Sequence, residues 1–141
     1  MHRLKTRPQF QAALAGGTVA RTAHFALHRL ILPAHVHSLQ ATADRAGPAP
    51  DAVQALFALD GAWLGAMVPK RWARRAVTRN TLKRQIYAVS ARFAPRLPCA
   101  AYVVRLRATF DRKQFISATS EPLKMAVRQE LEQLFERGVR A

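Results

Sequence analysis

Residues 70–84 read Lys-Arg-Trp-Ala-Arg-Arg-Ala-Val-Thr-Arg-Asn-Thr-Leu-Lys-Arg, and seven of these fifteen are Lys or Arg with no acid among them. The chemistry such a run supports is the gripping of phosphate. An arginine fork donates two parallel hydrogen bonds to a phosphate, a lysine adds a point charge, and Asn80 adds donor and acceptor capacity. On a helix, Arg71, Arg75, Arg79 and Lys83 would follow i, i+4 spacing and line one face. Like charges at that spacing repel, so the pattern costs stability unless an anion lies against it. An ordinary solvated helix face interleaves Glu with Lys, and this one does not.

Other chemistries find little support. His35-Val36-His37 has a spacing that suits metal, but no Cys, Asp or Glu stands near it. The single cysteine, Cys99, excludes an internal disulfide and a cysteine-cluster metal site. It lies in the apolar run 99–104 and reads as a small buried hydrophobe. The cationic region has no paired carboxylates and no Ser-His-Asp pattern, so no catalytic residue and no metal ligand is expected.

Charge is distributed as unevenly as it is large. The formal net charge is +15 and the pI about 11.7, beyond the pI of roughly 9 that marks nucleic-acid-binding domains. Residues 1–43 and 61–110 contain no Asp or Glu, whereas Asp111, Glu121, Glu130, Glu132 and Glu136 crowd the last part of the chain. A polyanionic partner would relieve that self-repulsion. Nucleic acid is the first candidate and an anionic membrane surface the second.

The elements that must position these groups follow from patterning. At 141 residues, half of them hydrophobic, the chain fits one domain, 1–141, with enough apolar material for a core. Pro8 to Ala15 predicts a short helix with Phe10, Ala13 and Leu14 on one face, stopped by Gly16-Gly17. Strands are expected at 24–32 and 62–68, the second ended by Pro69. From Trp72 to Phe93, Leu82, Ile86, Val89 and Phe93 recur at helical spacing, and Pro95 and Pro98 end the helix. A third strand at 100–106 is almost wholly apolar and should be central. Ser120-Glu121-Pro122 opens a last helix, with Leu123, Val127, Leu131 and Leu134 as its buried stripe and Arg137-Gly138 as its close. Residues 33–60 read as an irregular loop or insert. The expected order is helix, strand, strand, helix, strand, helix, an α+β two-layer sandwich with a small central sheet.

Extended backwards, the apolar stripe of the 72–93 helix runs onto Arg75 and Arg79. Burying them unpaired would cost several kcal/mol, on the order given for isolated ions. The C-terminal half is therefore expected to pack on the sheet, and the N-terminal half to overhang it, with the arginines facing an open crevice.

The stretch Lys70-Arg71-x-x-Arg74-Arg75-Ala76-x-x-Arg79-Asn80-x-x-Lys83-Arg84 resembles the signature helix of the bacterial ribonuclease P protein family. The resemblance extends to Arg3-Leu4-Lys5-x-x-x-x-Phe10, to the His24-Phe25 strand, to Gly65, to the 99–107 strand and to the last helix. There are departures. Thr81 stands where the family's Arg-Asn-Arg has its second arginine, Pro69 where a small hydroxyl residue is usual, and Leu14 where a second aromatic is usual. The 33–60 segment is also longer than typical.

The resemblance implies a fold like that of the second domain of ribosomal protein S5. It further implies a ribonucleoprotein whose RNA subunit performs the cleavage, with Mg2+ held mainly by that RNA and the substrate and with no organic cofactor. Lys70, Arg71, Arg74, Arg75, Arg79, Asn80, Lys83 and Arg84 would bind the ribonuclease P RNA. A cleft holding Arg3, Lys5, Arg7, Phe10, Leu14 and Phe25 would take the 5′ leader of precursor tRNA. Phe10 and Phe25 would act there as stacking platforms, worth about 1–3 kcal/mol per base.

No membrane partner and no obligate protein partner is expected. The basic N-terminus is followed by no hydrophobic signal segment, so a cytoplasmic location is expected. Three other readings stay open: a general RNA-binding or ribosomal protein, which would not prefer precursor over mature tRNA; a cationic membrane-surface or DNA-compacting protein, which would bind vesicles; and a protein nuclease, active without RNA.

Overall fold

The computed structural model describes residues 1–32, 61–110 and 121–140. The expected insert at 33–60, the His35/His37 pair, Asp111 and the Ser120 cap lie outside them. The elements are β1 (His2–Arg3), α1 (Arg7–Ala15), β2 (Thr18–Arg21), β3 (Phe25–Ile31), β4 (Trp63–Met67), α2 (Ala76–Phe93), a 3-10 turn (Ala94–Arg96), β5 (Ala100–Leu106) and α3 (Glu121–Arg140). They form one five-stranded mixed sheet in the order β1-β4-β5-β3-β2.

The apolar 100–106 run is indeed the central strand. β5 pairs antiparallel with β3 from Phe25↔Leu106 to Ile31↔Ala100, and parallel with β4 from Trp63↔Ala101 to Met67↔Arg105. A parallel neighbour needs a crossover, and α2 supplies it between β4 and β5. β1 and β2 were not foreseen. At two and four residues, both are too short to carry an alternation that sequence can display.

Strand alternation sorts the core into two. Phe25, Leu27, Leu64, Ala66, Tyr102, Val104 and Leu106 face α2 and α3, which contribute Leu82, Ile86, Val89 and Phe93, and Leu123, Val127, Leu131, Leu134 and Phe135. Each Val, Leu, Ile or Phe among them stabilises by about 1.5–3 kcal/mol when fully buried. On the opposite face Trp63, Ala101 and Val103 meet Leu4 and Ala13, with Phe10, Leu14 and Leu30 packed against them. Among the described residues only the nine-residue α1 covers that second face.

Local signals explain the helix ends. Thr6 caps α1, and Gln9 Oε1 accepts from the N–H groups of Lys5 (2.7 Å) and Thr6 (3.1 Å) in a reciprocal capping box. The helix therefore starts at Arg7, one residue before the expected proline. Gly17, at φ 103°, takes a conformation that favours glycine, and the chain turns into β2. α3 does not close at Gly138 but runs to Arg140. Gly138 is instead where the helix presses on the β3 side chain Leu27. Glu130 ties α3 to the β2–β3 turn, accepting from Thr22 Oγ1 (2.7 Å) and the His24 N–H (2.8 Å), with His24 Nδ1 2.7 Å away. Among the described residues no helix is long and apolar enough to cross a membrane.

Candidate nucleic-acid interface

The basic run divides into a loop and a helix. After β4 the carbonyl of Pro69 accepts from the N–H groups of Trp72 and Ala73, both at 3.1 Å, so the chain makes a tight turn through Lys70 and Arg71. The Arg71 guanidinium lies 5.2 Å from the Trp72 ring centroid. α2 then begins only at Ala76, with Arg75 as an N-cap that makes no side-chain capping bond.

This corrects the expected stripe. Arg71 and Arg75 precede the helix, so only Arg79 and Lys83 of the four share a helical face. Arg79 does not look into an open crevice either. Its Nη1 donates to the carbonyls of Ala73 (3.1 Å) and Arg74 (2.7 Å), strapping the basic loop to the first turn of α2. Carbonyl partners resolve the phase problem, because the half-buried cation is hydrogen-bonded where the apolar stripe would otherwise bury it. Thr81 is buried and its hydroxyl donates to the Val77 carbonyl at 2.9 Å.

Lys70, Arg71, Arg74, Arg75, Asn80, Lys83 and Arg84 are exposed, and among the described residues none of these cations has an acidic partner. Further along, the pattern reverses. Arg92 pairs with Glu132 at 2.7 Å and Arg96 with Glu136 at 2.8 Å, both across to α3. The hydrogen bond from Arg96 holds the Glu136 carboxyl below the usual carboxylate range. Such exposed pairs add little stability, but they neutralise one end of α2 and leave the other bare.

The second group of expected residues is split by the sheet. Lys5 and Arg7 are exposed beside α1, and Leu14 is half-buried against the second core cluster. Phe10 is half-buried, its ring pressed on Gly65, where a Cβ would come within 2.7 Å of Cζ. Phe25 is 0% exposed, on the face covered by α2 and α3. Strand alternation places it on the wrong side to stack a base beside α1, so it is a core residue. Arg3 also departs from the expected cleft, because its guanidinium lies over Tyr87 of α2.

Four residues on the part of the second face beyond α1 were missed: Thr18, Arg21, His28 and Arg105. His28 Nδ1 is 3.2 Å from Thr18 Oγ1. Among the described residues, His28 Nε2 and Arg105 Nε are buried without a hydrogen-bond partner. Burial, then the charges of Arg105 and Arg21, push the His28 imidazole below its ordinary pKa. The signal existed in the alternation of 25–31, which sets His28 on the face opposite Phe25 and Leu27, and in the lone cation that interrupts 100–106.

Among the described residues the carboxylates all lie on α3, each hydrogen-bonded or ion-paired, and no three metal-binding side chains cluster. The geometry suits anion binding.

The family profile described as Ribonuclease P matches residues 1–137. The chain belongs to the ribonuclease P protein family. It is 33% identical over 134 residues to the ribonuclease P protein component of Trichormus variabilis, covering 94% of this chain and 88% of that protein. It is 34% identical over 138 residues to that of Bordetella parapertussis, covering 98% and 92%. The fold is that of the RNase P protein of Staphylococcus aureus, with a TM-score of 0.62, 17% identity and coverage of 96% of this chain and 94% of that one. The RNase P protein of Thermotoga maritima aligns with a TM-score of 0.60, 19% identity and coverage of 97% of each chain. A role in ribonuclease P, a tRNA-processing ribonuclease, goes with membership of this family.

Proposed function

We propose that this chain is the RNA-binding protein component of ribonuclease P, which holds the catalytic RNA and the 5′ leader of precursor tRNA while the RNA cleaves. The observation that carries the reading is the sorting of charge along α2 and the turns that flank it. Lys70, Arg71, Arg74, Arg75, Lys83 and Arg84 have no acidic partner among the described residues, whereas Arg92 and Arg96 are neutralised by α3. Exposed unpaired cations contact phosphates and release counterions, which gives tight, salt-dependent binding. Asn80, beside them, adds hydrogen bonds to the RNA.

The α1 face suits the leader. Lys5 and Arg7 draw phosphates in, Phe10 and Leu14 offer apolar contact, and Arg21, His28 and Arg105 extend the polar floor. Magnesium, held by the RNA and the substrate and not by this chain, would supply the activation of water for phosphodiester hydrolysis. The protein's residues bind and orient, and none of them is catalytic. The cytoplasm, where tRNA is processed in bacteria, is the compartment this role requires.

The test is cleavage of a labelled precursor tRNA by bacterial ribonuclease P RNA at low magnesium, with and without the protein. The expected outcome is cleavage at the mature 5′ end only when RNA and protein are combined. Cleavage by the protein alone would make it a nuclease. Indiscriminate RNA binding without stimulation would leave a general RNA-binding protein.

A further inference from the structure

The N-terminal strand directs one arginine away from α1 and onto α2. β1 is locked to β4 by the His2 N–H to the Ala62 carbonyl and the Leu4 N–H to the Leu64 carbonyl, both 2.9 Å. Alternation then sets side chains on opposite faces. The His2 ring lies 4.7 Å from the Trp63 ring, and Leu4 joins the cluster with Ala13 and Trp63, both on the α1 side. Arg3, between them, points the other way. Its guanidinium carbon lies 4.1 Å from the centroid of Tyr87 on α2.

Tyr87 follows Lys83 by four residues and Arg84 by three, so on the helix surface it is their neighbour. The geometry points to Arg3, seated on Tyr87, as a phosphate-gripping residue of the surface that takes the ribonuclease P RNA, not of the leader path. Arg3 is exposed and has no acidic partner among the described residues. An arginine over an aromatic face keeps its N–H edge free for a phosphate. The ring also restricts the side chain beforehand, so less freedom is lost when RNA binds. β1 thus supplies, from a distant part of the sequence, a further cation beside Lys83 and Arg84. This assignment rests on the reading that α2 binds the RNA subunit.

Affinity of the full chain for ribonuclease P RNA is measured across a salt series for the wild type, Arg3→Ala, Arg3→Lys, Tyr87→Phe, Tyr87→Leu and, as reference, Arg84→Ala. Arg3→Ala is expected to lose about five- to tenfold in affinity, as for one charge-assisted contact, and about 0.7–0.9 of the salt slope. Arg3→Lys keeps the slope but not the full affinity, and Tyr87→Phe, which keeps the ring, binds as wild type. Tyr87→Leu weakens binding, and adding Arg3→Ala to it costs less than Arg3→Ala does alone. Thermal melts of each variant separate a folding defect from a binding one, and Arg3→Lys, which retains charge and length, serves if Arg3→Ala melts early. If Arg3→Ala binds like wild type while Arg84→Ala is weakened, the assignment of Arg3 is overturned and the RNA-binding reading stands. If Arg84→Ala is also unchanged, the reading itself fails. A loss confined to discrimination of precursor from mature tRNA would return Arg3 to the leader path and overturn the assignment.

Discussion

Phe10 and Gly65 meet as a ring against a bare backbone. A Cβ at position 65 would sit 2.7 Å from Phe10 Cζ and 2.8 Å from Leu4 Cδ1, well inside van der Waals contact. Gly65→Ala is therefore expected to lose about 1–3 kcal/mol, the usual cost of overpacking, read as a lower urea midpoint at unchanged slope. Phe10→Leu in the same chain should recover part of it, and an undiminished midpoint for Gly65→Ala alone would show the ring free to move. In the sequence Gly65 is only a matching letter. Its reason lies in α1, where Phe10 precedes it by 55 residues. Phe10 and Phe25 are equally aromatic, yet one borders the open face and the other is sealed beneath α2 and α3. Type and spacing cannot separate them, because the face of a strand residue is fixed by its pairing register. Arg79 was legible as part of a basic cluster, but not as the clasp that holds the loop, since backbone carbonyls have no signature in the sequence.

Helix α2 begins without help. Its N-cap is Arg75, with no capping bond and no acid in the first turn, where Asp, Ser or Asn would satisfy free N–H groups and complement the dipole. Arg75→Asp should stabilise the free protein by about 0.5–2 kcal/mol while weakening RNA affinity, a trade of stability against function. Thermal melts and RNA titration on the same preparation check it, and a gain in both would deny Arg75 any part in binding. Legibility at this scale followed burial. Leu82, Ile86, Val89 and Phe93 announced the body of α2, and the apolar run 100–106 announced the central strand, because core packing dictates those residues. The start of α2 was misplaced by four residues, since cations run through the loop and first turn without a break. β1 and β2 were invisible because edge strands this short make too few contacts to constrain their residues.

For the molecule as a whole, acid is the condition to watch. Burial, then Arg105 and Arg21, hold the His28 imidazole below its ordinary value of 6.5. The unfolded chain therefore takes up a proton that the folded chain refuses. Stability is full above about 6.5 and is lost as pH falls from there through the lowered value. Urea midpoints measured from about pH 7.5 down to about 5 should fall, and His28→Gln should flatten the lower part of that curve. A curve identical to wild type in that variant would place the sensitivity elsewhere. The overall α+β order was readable before any coordinates because both core faces are written as periodic apolar residues. The division of labour between faces was not, since it depends on which side each strand presents. The pairing of Arg92 and Arg96 with α3 has one more consequence. With Glu132 and Glu136 at one end of α2 and bare cations at the other, the described residues carry a permanent electrical asymmetry, and the field of a polyanion exerts a torque on the molecule before contact. It turns as it approaches, so collisions begin with the cationic end leading and fewer encounters are wasted on the wrong orientation.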